Sequence, residues 1–167
     1  MATIATPALA QLPTSAETSD TLARFAPDLR KLILKLSTLG TKPIGTQSLA
    51  ETRRGPSPAD AVRAALRDES KDVAALAAAS RVMKRDMTYP AIAGLQAVSI
   101  HTHANAGGVL ALFVYIHSGR WVIADLDTHD RLPIALACET GAIVVSVGYC
   151  HAPENRSPAA PNDTFAA

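Results

Sequence analysis

Five groups of side chains in this 167-residue chain are of types that could do chemistry. His101 and His103 stand two residues apart in an alternating segment, the spacing of a metal-ligand pair on one strand face. No third ligand follows at a telling distance, so the reading favoured for both is a solvated strand face. His117-Ser118-Gly119-Arg120-Trp121 follows an apolar run directly, which puts a histidine and a flexible backbone at the end of a strand. His129 and Asp130 fall in the first turn of an expected helix, where capping and loop contacts account for them as well as a site does. Ser57 has proline on both sides and no strand before it, so it reads as a helix cap, not a nucleophile. Cys138 and Cys150 lack the paired spacing of a zinc site and are too few for a disulfide framework. Cys138 is expected in the core and Cys150 partly exposed, with no neighbouring cations to activate it. We therefore expect no metal and no cofactor, and a reduced, cytoplasmic setting.

Composition narrows the classes further. Sixteen Lys and Arg against fifteen Asp and Glu leave a net charge of +1, which gives no electrostatic case for nucleic acid. No apolar run is long enough to span a bilayer. The first 19 residues, rich in Ala, Thr, Ser and Pro, read as a mobile tail and not as an export signal.

The elements that must position these groups follow from periodicity. Leu22 to Leu36 repeats at helical spacing, and Pro27 favours two short helices or one that starts at Pro27, with Gly40 as a stop. Residues 41–58 read as a loop. Ser57-Pro58 then caps a helix running to about Ser80. From Arg81 the period shortens: strands are expected over Val82–Pro90, Leu95–His103 and Val109–His117. A tight turn at Asn105-Ala-Gly-Gly108 joins the last two. Val109–Ile116 is continuous enough to be buried on both faces. A helix over Asp127–Thr140, closed by Gly141, and a strand over Ala142–Val147 complete a parallel βαβ unit and an α/β class. We expect a tail and helical region over residues 1–80 and an α/β region over residues 81–167.

The residues from 113 to 160 resemble the hormone-sensitive-lipase-like branch of the α/β-hydrolases, the carboxylesterases and lipases. The resemblance rests on His117-Ser-Gly-Arg-Trp121, Asp125-Leu-Asp-Thr-His-Asp130, Ala137-Cys-Glu-Thr-Gly141 and Val147-Gly-Tyr-Cys-His-Ala-Pro-Glu154. It implies an incomplete α/β-hydrolase fold: the first strands of a mostly parallel sheet, with N-terminal cap helices. It also implies an ester hydrolase working through an acyl-enzyme, with Ser118, Gly119 and Arg120 forming an oxyanion hole and His117 ordering that loop.

The departures matter as much. The family's loop reads His-Gly-Gly-Gly, so Ser118 and Arg120 replace two glycines. We expect a damaged hole, with the Arg120 cation lying where an acyl group belongs and Trp121 packed beneath the loop. Gly148, Cys150 and His151 replace Asp, Arg and Leu, each reachable by one base change, which has the look of drift. No Gly-x-Ser-x-Gly elbow occurs in the sequence, and all five histidines precede any place for one. The resemblance thus implies a small ester as substrate in intact relatives and no triad-dependent turnover by this chain. The alternative is a non-catalytic fragment that pairs with a second copy, or aggregates, through an open strand edge.

Overall fold

The structure is a computed structural model and describes residues 20–43, 45–92 and 94–167. The expected mobile tail lies outside the described residues. The N-terminal part is helical: α1 (Pro27–Thr38), α2 (Leu49–Arg54), α3 (Pro58–Asp68) and α4 (Val73–Ala79). Proline opens α1 at its first turn, as its fixed φ and missing N–H allow. The segment expected to be a loop contains α2, closed at its start by a reciprocal box in which Ser48 and Glu51 bond each other's backbone N–H groups. That box is written in the sequence as Ser-x-x-Glu. Ser57 caps α3 in the same way through Asp60. The expected long second helix is two helices, because Ser70 adopts a left-handed φ of 55° that no helix interior tolerates. Alanines 61, 64 and 65 form the buried face of α3, and α3 packs chiefly on α1.

The rest is a four-stranded sheet with helices against it. Its strands are β1 (Val82–Ala91), β2 (Gly94–His103), β3 (Leu112–Ile116) and β4 (Ile143–Val147), in the order β1-β2-β4-β3. β1 and β2 form a long antiparallel hairpin, β2 pairs antiparallel with β4, and β3 pairs parallel with β4. β3–α5–β4, with α5 at Arg131–Thr140, is the expected parallel crossover unit. A left-handed Gly141 with φ 67° closes α5, its N–H bonded to the Ala137 carbonyl.

Three expectations change here. The turn near Asn105 joins no hairpin: β4 lies between β2 and β3, so residues 104–111 carry the chain over to the far side of β4. β3 starts at Leu112, and it is an edge strand whose outer side chains are open, not a strand covered on both faces. α5 starts at Arg131, not Asp127, because Asp125 and Thr128 close their own turn: each bonds the other's backbone N–H through its side chain. Among these strands antiparallel pairing predominates, so the sheet is mixed.

The C-terminal helix α6 (Ala159–Ala166) places Asp163 in full burial. Its two carboxylate oxygens accept the N–H of Ile92 at 3.1 Å and of Cys150 at 3.0 Å. One side chain thus ties the β1–β2 turn to the segment after β4, and the buried Cys150 N–H finds the partner that burial requires.

Candidate active-site loop

The residues at the end of β3 cannot continue the strand. At Gly119 φ is 136°, and a Cβ would stand 1.9 Å from the Ile123 carbonyl oxygen. Only glycine fits there. The Gly119 carbonyl accepts the N–H groups of Val122 at 3.0 Å and Ile123 at 3.1 Å, which winds residues 119–123 into a tight turn. Arg120 and Trp121 hold left-handed φ values of 54° and 62°, and Ala124 71°. Such backbone is strained for side chains with a Cβ and persists only where the surroundings impose it.

Those surroundings are polar and aromatic. His117 is buried, and its Nδ1 lies 2.9 Å from the Ser118 carbonyl oxygen and 3.1 Å from the Tyr149 hydroxyl. The Tyr149 hydroxyl donates to the His117 carbonyl at 2.9 Å, and the two rings stack with centroids 4.3 Å apart. The Nδ1–H of His117 therefore points at the Ser118 carbonyl, so the neutral ring holds the loop backbone on one side. Burial pushes the His117 pKa below its ordinary value, and the same holds for His151 nearby. Tyr149 is pushed up to about 12, also by burial, so its phenol stays protonated and available to donate. Trp121 meets Tyr149 edge-on at 4.8 Å but remains 41% exposed. It packs beside the loop, not beneath it.

From the other side Arg53, on α2, reaches across to the loop. Its guanidinium donates to the carbonyls of Val122 at 2.9 Å and Ala152 at 2.7 Å, and pairs with both carboxylate oxygens of Glu154 at 2.8 and 3.0 Å. Planar, two-pronged pairing of this kind is what guanidinium geometry favours. Sequence reasoning passed over Arg53, because its partners lie 69 to 101 residues further on.

Ser118 is exposed, and its Oγ lies 2.9 Å from Nε2 of His129. Ser118, Gly119, Asp125, Thr128, His129 and His151 line a cleft of about 1010 Å³ whose opposite wall comes from residues around α2 and the start of α3. Arg120 is exposed and is not among the residues that line this cleft. Among the described residues no protein group accepts the N–H of Ser118, Gly119 or Arg120.

Other expected residues fall elsewhere. His101 is fully buried, not on a solvated face. α5 covers β2, and Asp130 at its start bonds His101 Nε2 at 3.1 Å. Lys84 joins the same carboxylate at 3.0 Å. Burial would raise the Asp130 pKa, but the bonds from His101 and Lys84 prevail and hold it low. No group of metal-ligating side chains forms among the described residues. Cys150 is buried, not partly exposed, and its thiol is pushed up to about 11 by desolvation and by Asp163. Cys138 is half-buried instead of belonging to the core. Gly148 sits where a Cβ would lie 2.8 Å from the Ala97 carbonyl oxygen, so glycine suits this backbone whatever its history.

Residues 113–167 match the family model of the α/β-hydrolase fold. The chain carries part of that fold, in its hormone-sensitive-lipase-like form. The carboxylic ester hydrolase LipN of Mycobacterium tuberculosis is 41% identical over 83 residues, 49% of this chain and 22% of that protein. The carboxylesterase NlhH of the same species is 48% identical over 58 residues, 35% of this chain and 18% of its own length. In solved structures, the hyperthermophilic esterase of Pyrobaculum calidifontis superposes with a TM-score of 0.57 at 26% identity, covering 83% of this chain and 41% of that one. A thermostable esterase from Pseudomonas putida gives 0.58 at 27%, covering 82% and 40%. The chain thus spans about two fifths of those structures and about a fifth of the curated relatives. Its relatives are esterases, and among the described residues no helix is long and apolar enough to cross a membrane.

Proposed function

We propose that this chain is the part of a carboxylic ester hydrolase that receives the carbonyl oxygen of a small ester. The observation that carries this reading is the tight turn at Gly119, beside a cleft and with three successive N–H groups that find no acceptor among the described residues. When a nucleophile adds to an ester carbonyl, negative charge gathers on the oxygen. Fixed N–H donors stabilise that charge more than they stabilise the neutral ester, and removing one such donor costs about 3 kcal/mol of transition-state stabilisation. Ser118, Gly119 and Arg120 supply the donors. A side chain at 118 or 120 leaves its own N–H in place, so the replacements alter the walls of the hole and spare its donors. His117, fixed by Tyr149, and Arg53, fixed on Glu154, keep the loop in shape.

On this reading residues 81–167 are the catalytic-fold region and residues 1–80 a tail and cap region, of which residues between Leu36 and Asp60 form the far wall of the cleft. The sequence has no Gly-x-Ser-x-Gly elbow. We therefore assign the oxyanion loop to these residues and expect no triad-dependent turnover from them.

The test is a nuclear magnetic resonance titration with a phosphonate monoester, whose tetrahedral anion mimics the charged intermediate. The amides of Ser118, Gly119 and Arg120 should shift together and saturate. Shifts scattered over surface lysines, with those three amides unmoved, would contradict the assignment.

A second reading is a fragment that associates through its sheet edge. The open apolar side of β3 favours it, with Leu112, Phe113, Val114 and Ile116 all exposed. Light scattering separates the two: a monomer that binds the phosphonate supports the first, and an oligomer that dissociates on Val114→Lys supports the second.

A further inference from the structure

We infer that Ser118 and His129 form a nucleophile–base pair of their own, able to accept an acyl group from a small activated ester. The reading shares the loop amides with the proposed function but supplies a different nucleophile. The tautomer of His129 decides it. Thr128 Oγ1 donates its single proton to the Asp125 carbonyl at 2.9 Å and accepts the Asp125 N–H at 2.8 Å. It has no further proton to give, so at its 3.2 Å contact with His129 Nδ1 it accepts. The proton of the neutral ring is then on Nδ1, and Nε2 is a lone-pair acceptor. Ser118 Oγ, 2.9 Å away, donates to it. This is the order a general base requires: hydroxyl to imidazole, and imidazole held by a third group on its far nitrogen.

The setting fits the chemistry. Ser118 is exposed at the cleft and His129 lines the same cleft. The next two residues in the chain carry N–H groups that find no acceptor among the described residues. In the acylation step Ser118 Oγ bonds to the ester carbonyl carbon while its proton passes to His129 Nε2, and the carbonyl π pair moves onto oxygen. Collapse of this intermediate breaks the bond to the leaving oxygen, which takes the proton from Nε2. Ser118 is left as an ester. Water then adds to that ester with His129 again accepting the proton, and the carboxylic acid departs with Ser118 restored.

The experiment uses the full chain and 4-nitrophenyl acetate, following phenolate release together with intact mass and a peptide map. The expected result is one acetyl group, on Ser118. Ser118→Ala should abolish the adduct, and His129→Gln should slow its formation about a hundredfold, the share a positioned base supplies. Ser118→Cys should restore a labelled species as a thioester. Acetyl found on lysine, His129 or another hydroxyl, or unchanged release by Ser118→Ala, overturns the inference. Phosphonate shifts recorded on the same samples separate the two readings. Acylation absent with shifts retained removes the pair alone, whereas loss of both in the unaltered chain removes the shared amides.

Discussion

β3 and β4 lie side by side in parallel register, Phe113 opposite Val144 and Val114 opposite Val145, and both are short apolar runs. β4 has a strand on each side, and Val144 and Val147 are completely buried. β3 has a strand on one side only, and Phe113 and Val114 remain 45% and 55% exposed. Similar sequence character therefore ends in opposite environments. Hydrophobicity fixes what a strand needs, and its neighbours fix what it gets. The candidate active-site loop grows from the C-terminal end of the exposed strand, yet it is held on one side by Tyr149 just beyond β4 and from the other by Arg53 on α2.

The largest effect should come from a charge placed on each strand in turn. Val144→Asp buries an unpaired carboxylate and should cost more than about 4 kcal/mol in urea unfolding. Phe113→Asp, its register partner, should change stability by less than about 1 kcal/mol. Equal losses would break the contrast.

Next is Asp163. Asp163→Ala leaves the N–H of buried Cys150 without its acceptor, at about 1–3 kcal/mol, while that of exposed Ile92 turns to water. The loss should exceed that of any single substitution on β3.

Acidification should follow. His117 and His151 have pKa values lowered by burial, so the unfolded chain binds their protons more readily. Their contribution to stability is whole above the ordinary histidine range and is lost as pH falls through and below it. The melting temperature should therefore drop between about pH 7 and pH 5, and the drop should shrink in His151→Asn. A pH-independent melt over that range would remove the burial argument for the loop.

The smallest stability change should come from Arg53→Ala, since its ion pair is well solvated. Its effect should appear locally, as faster amide exchange around Val122 with β4 unaltered. A chemical probe sharpens the same contrast: iodoacetamide should alkylate half-buried Cys138 well before Cys150, whose thiol is buried and pushed up to about 11.

Much of the frame was legible in the sequence because it is written locally. Pro27 and Ser57-Pro58 mark helix starts, Gly141 marks a helix end, and alternation marks β1 and β2. What escaped was set by partners distant in sequence. A two-residue spacing puts His101 and His103 on one face, but only the packing of α5 says that the face is covered. The order β2-β4-β3 depends on which strand intervenes, and a turn signal near Asn105 carries no such information. Within the loop, His117 and Gly119 could be found from type and position. The Arg53–Glu154 pairing and the contact between Ser118 and His129 needed the chain folded back on itself. The Ser48–Glu51 box was there to be read and was hidden by the prolines around it.

Residues 118–120 are proposed to receive an ester oxygen. A crystal structure of the chain soaked with a phosphonate monoester tests it most directly. We predict a phosphonate oxygen within hydrogen-bond distance of the Gly119 and Arg120 amides, inside the cleft shared with His129. A phosphonate held elsewhere, with those amides turned away or bonded within the protein, would contradict an oxyanion role for the loop.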